Sequence, residues 1–170
     1  MKFLAITVFS TFLCLLSVPA SASDNDDEDY ILPYVEIPQP KDFSQLGETA
    51  QREDKLILLE ISATDCGFCE LLEEDYIKPM LRDEDYTRKL LIRKINIDNE
   101  GSIIDFDGNE TTTGGFALRQ KARLTPTMLF LDSHGNEVGE RIVGINTLEL
   151  FGGYIEASIE AGMKAIQEKN

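Results

Sequence analysis

Leu56-Ile57-Leu58-Leu59-Glu60-Ile61 is an apolar run interrupted by a single acid. A short run of this kind, without polar alternation, reads as a strand buried on both faces. The chain around it is therefore expected to be α/β, with layers on each side of a sheet. Directly afterwards the period changes. Phe68, Leu71, Leu72, Tyr76 and Met80 recur at helical spacing, and Pro79 is expected to kink or end that helix. Leu90 to Ile97 reads as a second strand. Asn99 to Thr111 is a longer connection with a turn at Asp107-Gly108. Thr112 or Thr113 then caps a helix reaching about Ala122.

Thr127 to Leu131 and Val138 to Val143 read as strands joined by a tight turn through Ser133-His134-Gly135-Asn136. A last helix is expected from Leu148 to Gln167. Leu148, Phe151, Ile155, Ile159 and Ile166 would face the core, while Gly152 and Gly153 weaken the first turns. A short helix from about Asp42 to Arg52 precedes the first strand. The resulting order is β-α-β, α, β-β-α.

The N-terminal residues read as a targeting segment. Lys2 precedes an apolar run from Phe3 to Leu16, Pro19 breaks it, and Ala20-Ser21-Ala22 supplies a small-residue cleavage pattern. Cleavage is expected after Ala22. A transmembrane anchor would need an apolar stretch of roughly 20 residues, and Leu13 before Cys14 does not suit lipoprotein processing. Residues 1–22 are thus a signal peptide, 23–40 an acidic, Pro-containing flexible leader, and 41–170 the folded domain. The expected mature protein is secreted, with no stable membrane insertion. The formal charge of −15 becomes one unit more negative without Lys2, which disfavours nucleic acid as a partner.

Loss of Cys14 leaves Cys66 and Cys69 as the only cysteines of the mature chain. In an oxidising compartment a disulfide scaffold normally uses several bridges, and a bridge closing so tight a loop constrains the unfolded chain little. Half a zinc site has the same spacing, but zinc takes about four ligands, and only His134 remains to join the pair. The pair therefore points to redox chemistry, with no metal and no cofactor. Its place at the opening of the first core helix suits that, because a helix N-terminus stabilises a thiolate, and the second thiol can close on the first.

With Cys66-Gly67-Phe68-Cys69 after the first core strand, and Leu124-Thr125-Pro126-Thr127 before the third, the chain resembles the thioredoxin superfamily. The resemblance covers about Lys55 to Gln167 and implies a thioredoxin fold, a central mixed sheet flanked by helices. It implies that Cys66 attacks and Cys69 resolves. Thr125 and Pro126, in a cis-proline loop, together with Gly67 and Phe68, would hold a disulfide-containing protein substrate. Glu60, six residues before Cys66, matches the buried acid of the family and would accept the Cys69 proton. Asp105-Phe106-Asp107-Gly108, the Thr125-Pro126-Thr127 loop and Phe130-Leu131-Asp132 before a glycine turn are similar to periplasmic SoxW-like and related thioredoxin-fold proteins.

The direction of electron flow is read from charge. Between Lys55 and Lys78 there is no Lys, Arg or His, but Glu60, Asp65, Glu70, Glu73, Glu74 and Asp75 are present. Negative charge raises a thiol pKa and makes the disulfide less oxidising, so a reductant is expected. The alternatives are an oxidase or isomerase, a redox-inert chaperone, and a eukaryotic lumenal protein bearing the sequon Asn109-Glu110-Thr111. A bacterial periplasm is preferred, and there the resemblance implies a membrane electron donor of the DsbD or CcdA type.

Overall fold

The computed structural model describes residues 32–99 and 101–168. The segment read as a signal peptide, Cys14 and the acidic run at 24–29 lie outside the described residues.

Asp42 starts the first helix. Its carboxylate accepts from Gln45 N at 3.0 Å and from Ser44 Oγ at 2.6 Å, capping helix α1 (Phe43–Glu53). These bonds hold the Asp42 carboxyl below the usual carboxylate range. Asp42→Ala is expected to weaken the start of α1 by removing its N-cap bonds, read as a lower midpoint in urea unfolding.

The chain then runs through β1 (Leu56–Ser62) and α2 (Gly67–Leu72), a π-helical turn (Glu73–Ile77), α3 (Lys78–Arg82) and α4 (Glu84–Thr87). Next come β2 (Leu90–Asn96), a small hairpin of β3 (Ser102–Ile104) and β4 (Glu110–Thr112), and α5 (Thr113–Arg119). β5 (Thr127–Leu131), β6 (Ile142–Val143) and α6 (Leu148–Gln167) complete it. The main sheet has the order β2-β1-β5-β6; β1 runs parallel to β2 and antiparallel to β5. This is a mixed sheet with helices on both faces. Among the described residues no helix is long and apolar enough to cross a membrane.

β1 is central, and its alternation divides the core. Ile57, Leu59 and Ile61 join Phe43, Leu46 and Ala50 of α1, Phe116 of α5 and Leu129 of β5. There Phe43 stacks on Phe116 at 4.3 Å between ring centroids. Leu56 and Leu58 point the other way, into a layer with Leu72, Ile77 and Met80, Ile92 of β2, and Phe151, Ile155 and Ile159 of α6. Burying each such side chain contributes about 1.5–3 kcal/mol. Glu60 belongs to this second face by its register, so an acid sits where the pattern calls for an apolar residue.

Five sequence expectations change. The stretch read as a flexible leader is held over its last residues: Ile37 is buried, Arg82 Nε donates to Pro33 O at 2.8 Å, and Lys94 N donates to Pro38 O at 3.0 Å. The long connection after β2 contains the β3–β4 hairpin. The helix after the cysteines is interrupted by the π-turn at Glu73–Ile77, and Pro79 lies in the first turn of α3 beyond it. The strand expected over Val138 to Val143 shrinks to Ile142–Val143, because Val138 N and Gly139 N both turn onto Phe130 O and interrupt the ladder. Gly139 is needed there: a Cβ would lie 2.5 Å from Ser158 O. Leu148, assigned to the core, is exposed, and Ile166 only packs against the rim of the core.

Two turns share one architecture. In Asp105-Phe106-Asp107-Gly108-Asn109 the Asp105 carboxylate accepts from the N–H groups two and four residues on, at 3.0 and 2.8 Å. In Asp132-Ser133-His134-Gly135-Asn136, Asp132 does the same at 2.9 Å for each. The turns meet where Phe106 lies over Gly135, at which φ is +77° and a Cβ would come within 2.3 Å of the ring.

Candidate active site

Cys66 is the N-cap of α2. Its backbone is extended, and its Sγ accepts from Cys69 N at 3.2 Å. Cys66 and Cys69 are joined in a disulfide. The two sulfurs differ in setting: Cys66 is half-buried at the surface, whereas Cys69 is 2% exposed. A partner can reach the first sulfur from outside, while the second is placed to act from within. Asp65, before the cap, takes a left-handed backbone with φ 53°, turning the chain from β1 into α2. Gly67 and Phe68 form the exposed shoulder between the cysteines, and Phe68 is 63% exposed.

Beside this shoulder runs the loop from α5 to β5. The Thr125–Pro126 peptide is cis. Thr125 Oγ1 lies 3.7 Å from Cys66 Sγ, its hydroxyl placed to donate to the sulfur. The loop is pinned on both sides of the proline: Thr127 Oγ1 donates to Leu124 O at 2.7 Å, and Gly144 N donates to Pro126 O at 2.8 Å. Leu124, 66% exposed, adds a second apolar side chain to the surface.

On the second face of β1, Glu60 is 0% exposed, and neither of its carboxyl oxygens has a hydrogen-bond partner among the described residues. Burial, and after it the charge of Glu73, push its carboxyl up to about 8, against the pull of Lys94 and the Ser62 hydroxyl. At neutral pH Glu60 is mostly a neutral acid.

Two residues complete this layer that the sequence reading did not single out. Lys94 stands opposite Glu60 in the β1–β2 register, and its Nζ contacts the two oxygens of Glu73 at 2.9 and 2.8 Å. The sequence counts Glu73 only as one more acid, and its window without cations stops short of β2. The alternation of β2 held the signal, since Leu90, Ile92 and Lys94 share a face. The rim of α2 and the π-turn remains acidic, with Asp65, Glu70, Glu74 and Asp75 exposed and Glu74 ion-paired to Lys78. His134 lies in the turn after β5, at the opposite end of that strand from Thr127. Among the described residues no three His, Cys, Asp or Glu side chains converge as metal ligands would.

The model of a thioredoxin-like domain family matches residues 43–159. Similar solved structures include a poplar thioredoxin h, 26% identical, covering 67% of this chain and 86% of that one with a TM-score of 0.45. The germline-specific thioredoxin Deadhead of Drosophila melanogaster is 22% identical over 71% of this chain and 98% of that one, TM-score 0.49. A thioredoxin of Nicotiana alata is 23% identical over 74% and 98%, TM-score 0.44. No curated protein matches the sequence.

Proposed function

Because the chain belongs to the thioredoxin-like domain family, we propose that it is an exported thiol–disulfide oxidoreductase that reduces disulfides of partner proteins through Cys66 and Cys69. The observation that carries this reading is the placement of Cys66 at the cap of α2, 3.7 Å from Thr125 Oγ1, with Cys69 buried behind it. That arrangement presents one sulfur to a partner and keeps the other in reserve.

In the reduced protein, the Cys66 thiolate attacks one sulfur of a partner disulfide, and the partner's other sulfur leaves as a thiolate that is protonated by solvent. The helix N-terminus lowers the cost of the attacking thiolate. Thr125, Pro126, Gly67 and Phe68 hold the partner chain against the mixed disulfide. Cys69 then gives its proton to Glu60 in those molecules whose Glu60 is ionised, a minority at neutral pH that grows toward pH 8, and attacks Cys66 Sγ. The Cys66–Cys69 bond forms, the bond to the partner breaks, and the second partner sulfur leaves. Two electrons have passed to the partner, and Glu60 holds one proton. An acid carrying that proton tolerates its dry site, which agrees with the buried, unpartnered carboxyl of Glu60.

Recharging requires a dithiol donor. For a protein exported by the Phe3–Leu16 and Ala20-Ser21-Ala22 leader into a bacterial periplasm, a membrane carrier of the DsbD or CcdA type would supply the electrons. The acidic rim supports the reducing direction, since negative charge disfavours the thiolate that a strong oxidant must stabilise.

Two measurements test the reading. The mature protein with dithiothreitol is expected to reduce insulin disulfides well above the rate of dithiothreitol alone; an equal rate overturns the oxidoreductase reading. Equilibration with glutathione is expected to give a potential toward about −270 mV, the thioredoxin value; one near about −120 mV overturns the reducing direction.

A further inference from the structure

Cys69, Leu72 and Glu73 stand at i, i+3 and i+4, which places them on one stripe of the helix. That stripe faces the sheet, since Cys69 and Leu72 are both buried and Leu72 packs with Leu58. Glu73, one turn beyond the resolving cysteine, reaches Lys94 with both carboxyl oxygens and accepts from Ser62 Oγ at 3.5 Å. The ion pair is largely shielded, with Glu73 16% and Lys94 20% exposed. Lys94 is also the cross-strand neighbour of Glu60. One cation therefore stands between two carboxyl groups and bonds only one of them.

We propose that Glu73 is a positioning residue for the resolving step: by holding Lys94 it keeps the cation off Glu60, and so sets the pH range in which Glu60 exchanges a proton with Cys69. This rests on the oxidoreductase reading above. Were Lys94 to turn to Glu60, the acid would become one half of an ion pair, ionised over a wider range and a weaker base toward a thiol. With Lys94 engaged elsewhere, and with the charge of Glu73 nearby, the protonated form of Glu60 is favoured. Its rise to about 8, with Glu73 as the largest contribution after burial, agrees.

The other elements around Glu60 bring no comparable charge. β5 places Met128 opposite it, β1 adds Leu58 and the Ser62 hydroxyl, α2 brings Leu72, and α6 contributes Phe151, Ile155 and Ile159 to the layer. The charged groups that act on Glu60 are Glu73 and Lys94.

Opposite substitutions at the two positions should therefore move the same titration in opposite directions. The test compares wild type, E73Q, K94M and the paired E73Q/K94M variant. It follows the single-turnover rate of insulin disulfide reduction from pH 5 to 9, and the Glu60 carboxyl directly by carbon-13 NMR of the oxidised proteins. E73Q is expected to lower the midpoint by about one pH unit and K94M to raise it by a similar amount. The paired variant should return close to wild type. Midpoints that stay put, or that move the same way in both single variants, overturn the proposal. Should one single variant fail to fold, the other and the paired variant decide it by the same criterion. A wild type without insulin-reducing activity would sink the oxidoreductase reading instead, and the carboxyl titration would still report whether Glu73 and Lys94 pull Glu60 in opposite directions.

Discussion

Cys69→Ser is expected to slow disulfide turnover by about a thousandfold or more while leaving the first attack intact. The sulfur that meets the partner is Cys66, at the cap of α2 and the surface, and the substitution leaves its helix N-terminus in place. What is lost is the buried nucleophile. A serine hydroxyl at that site is not deprotonated by Glu60, so the mixed disulfide has no internal route to release. Incubation of the reduced variant with insulin and no added thiol should accumulate a covalent adduct, visible by mass and dissolved by dithiothreitol. Cys66→Ser should form none. An adduct on Cys66→Ser but not on Cys69→Ser would reverse the assigned roles, and wild-type turnover by Cys69→Ser would end the two-cysteine mechanism.

Glu60 should also leave a large mark on stability. Unfolded, its carboxyl titrates at an ordinary 4.5; folded, at about 8. Between these values the native state keeps a proton that the unfolded chain has lost, so raising the pH favours unfolding. Below about 4.5 the site costs nothing by this route. The penalty grows through the window and levels off above about 8. A separation of roughly 3.5 units at 1.36 kcal/mol each gives a penalty on the order of 5 kcal/mol. Glu60→Gln keeps the shape and removes the titration. The stability difference between variant and wild type, from denaturant unfolding of the oxidised proteins, should therefore swing toward the variant from pH 5 to pH 9. A flat difference would mean that Glu60 is ionised or solvated in the native state.

The central strand, the cysteine pair at the strand–helix junction and the proline loop were legible because each is written in neighbouring residues. Leu56 to Ile61 carries its burial in its own run, and the spacing of Cys66 and Cys69 is itself the chemical signal. What stayed hidden depends on partners distant in the chain. Lys94 lies 34 residues from Glu60 and is brought beside it by strand register. The hairpin of β3 and β4 has three residues on each side, four of the six polar, too few for a period to show. The loss of most of the expected strand before β6 follows from Gly139 fitting against Phe130 and α6, a packing demand with no local trace. Ile37 behaved similarly: the prolines around it spelled out an extended chain, and only the fold reveals what that chain lies against.

That segment has a consequence for how the molecule behaves among its neighbours. An open sheet offers its outermost strands as templates for strand addition by another chain. Here one margin is β6, only two residues long. At the other, β2 is flanked by a stretch anchored through Pro33, Ile37 and Pro38, in which Pro33, Pro38 and Pro40 have no N–H to offer an incoming strand. The chain thus carries its own guard against cross-β polymerisation, and removing the residues before Asp42 would expose that margin of the sheet to it.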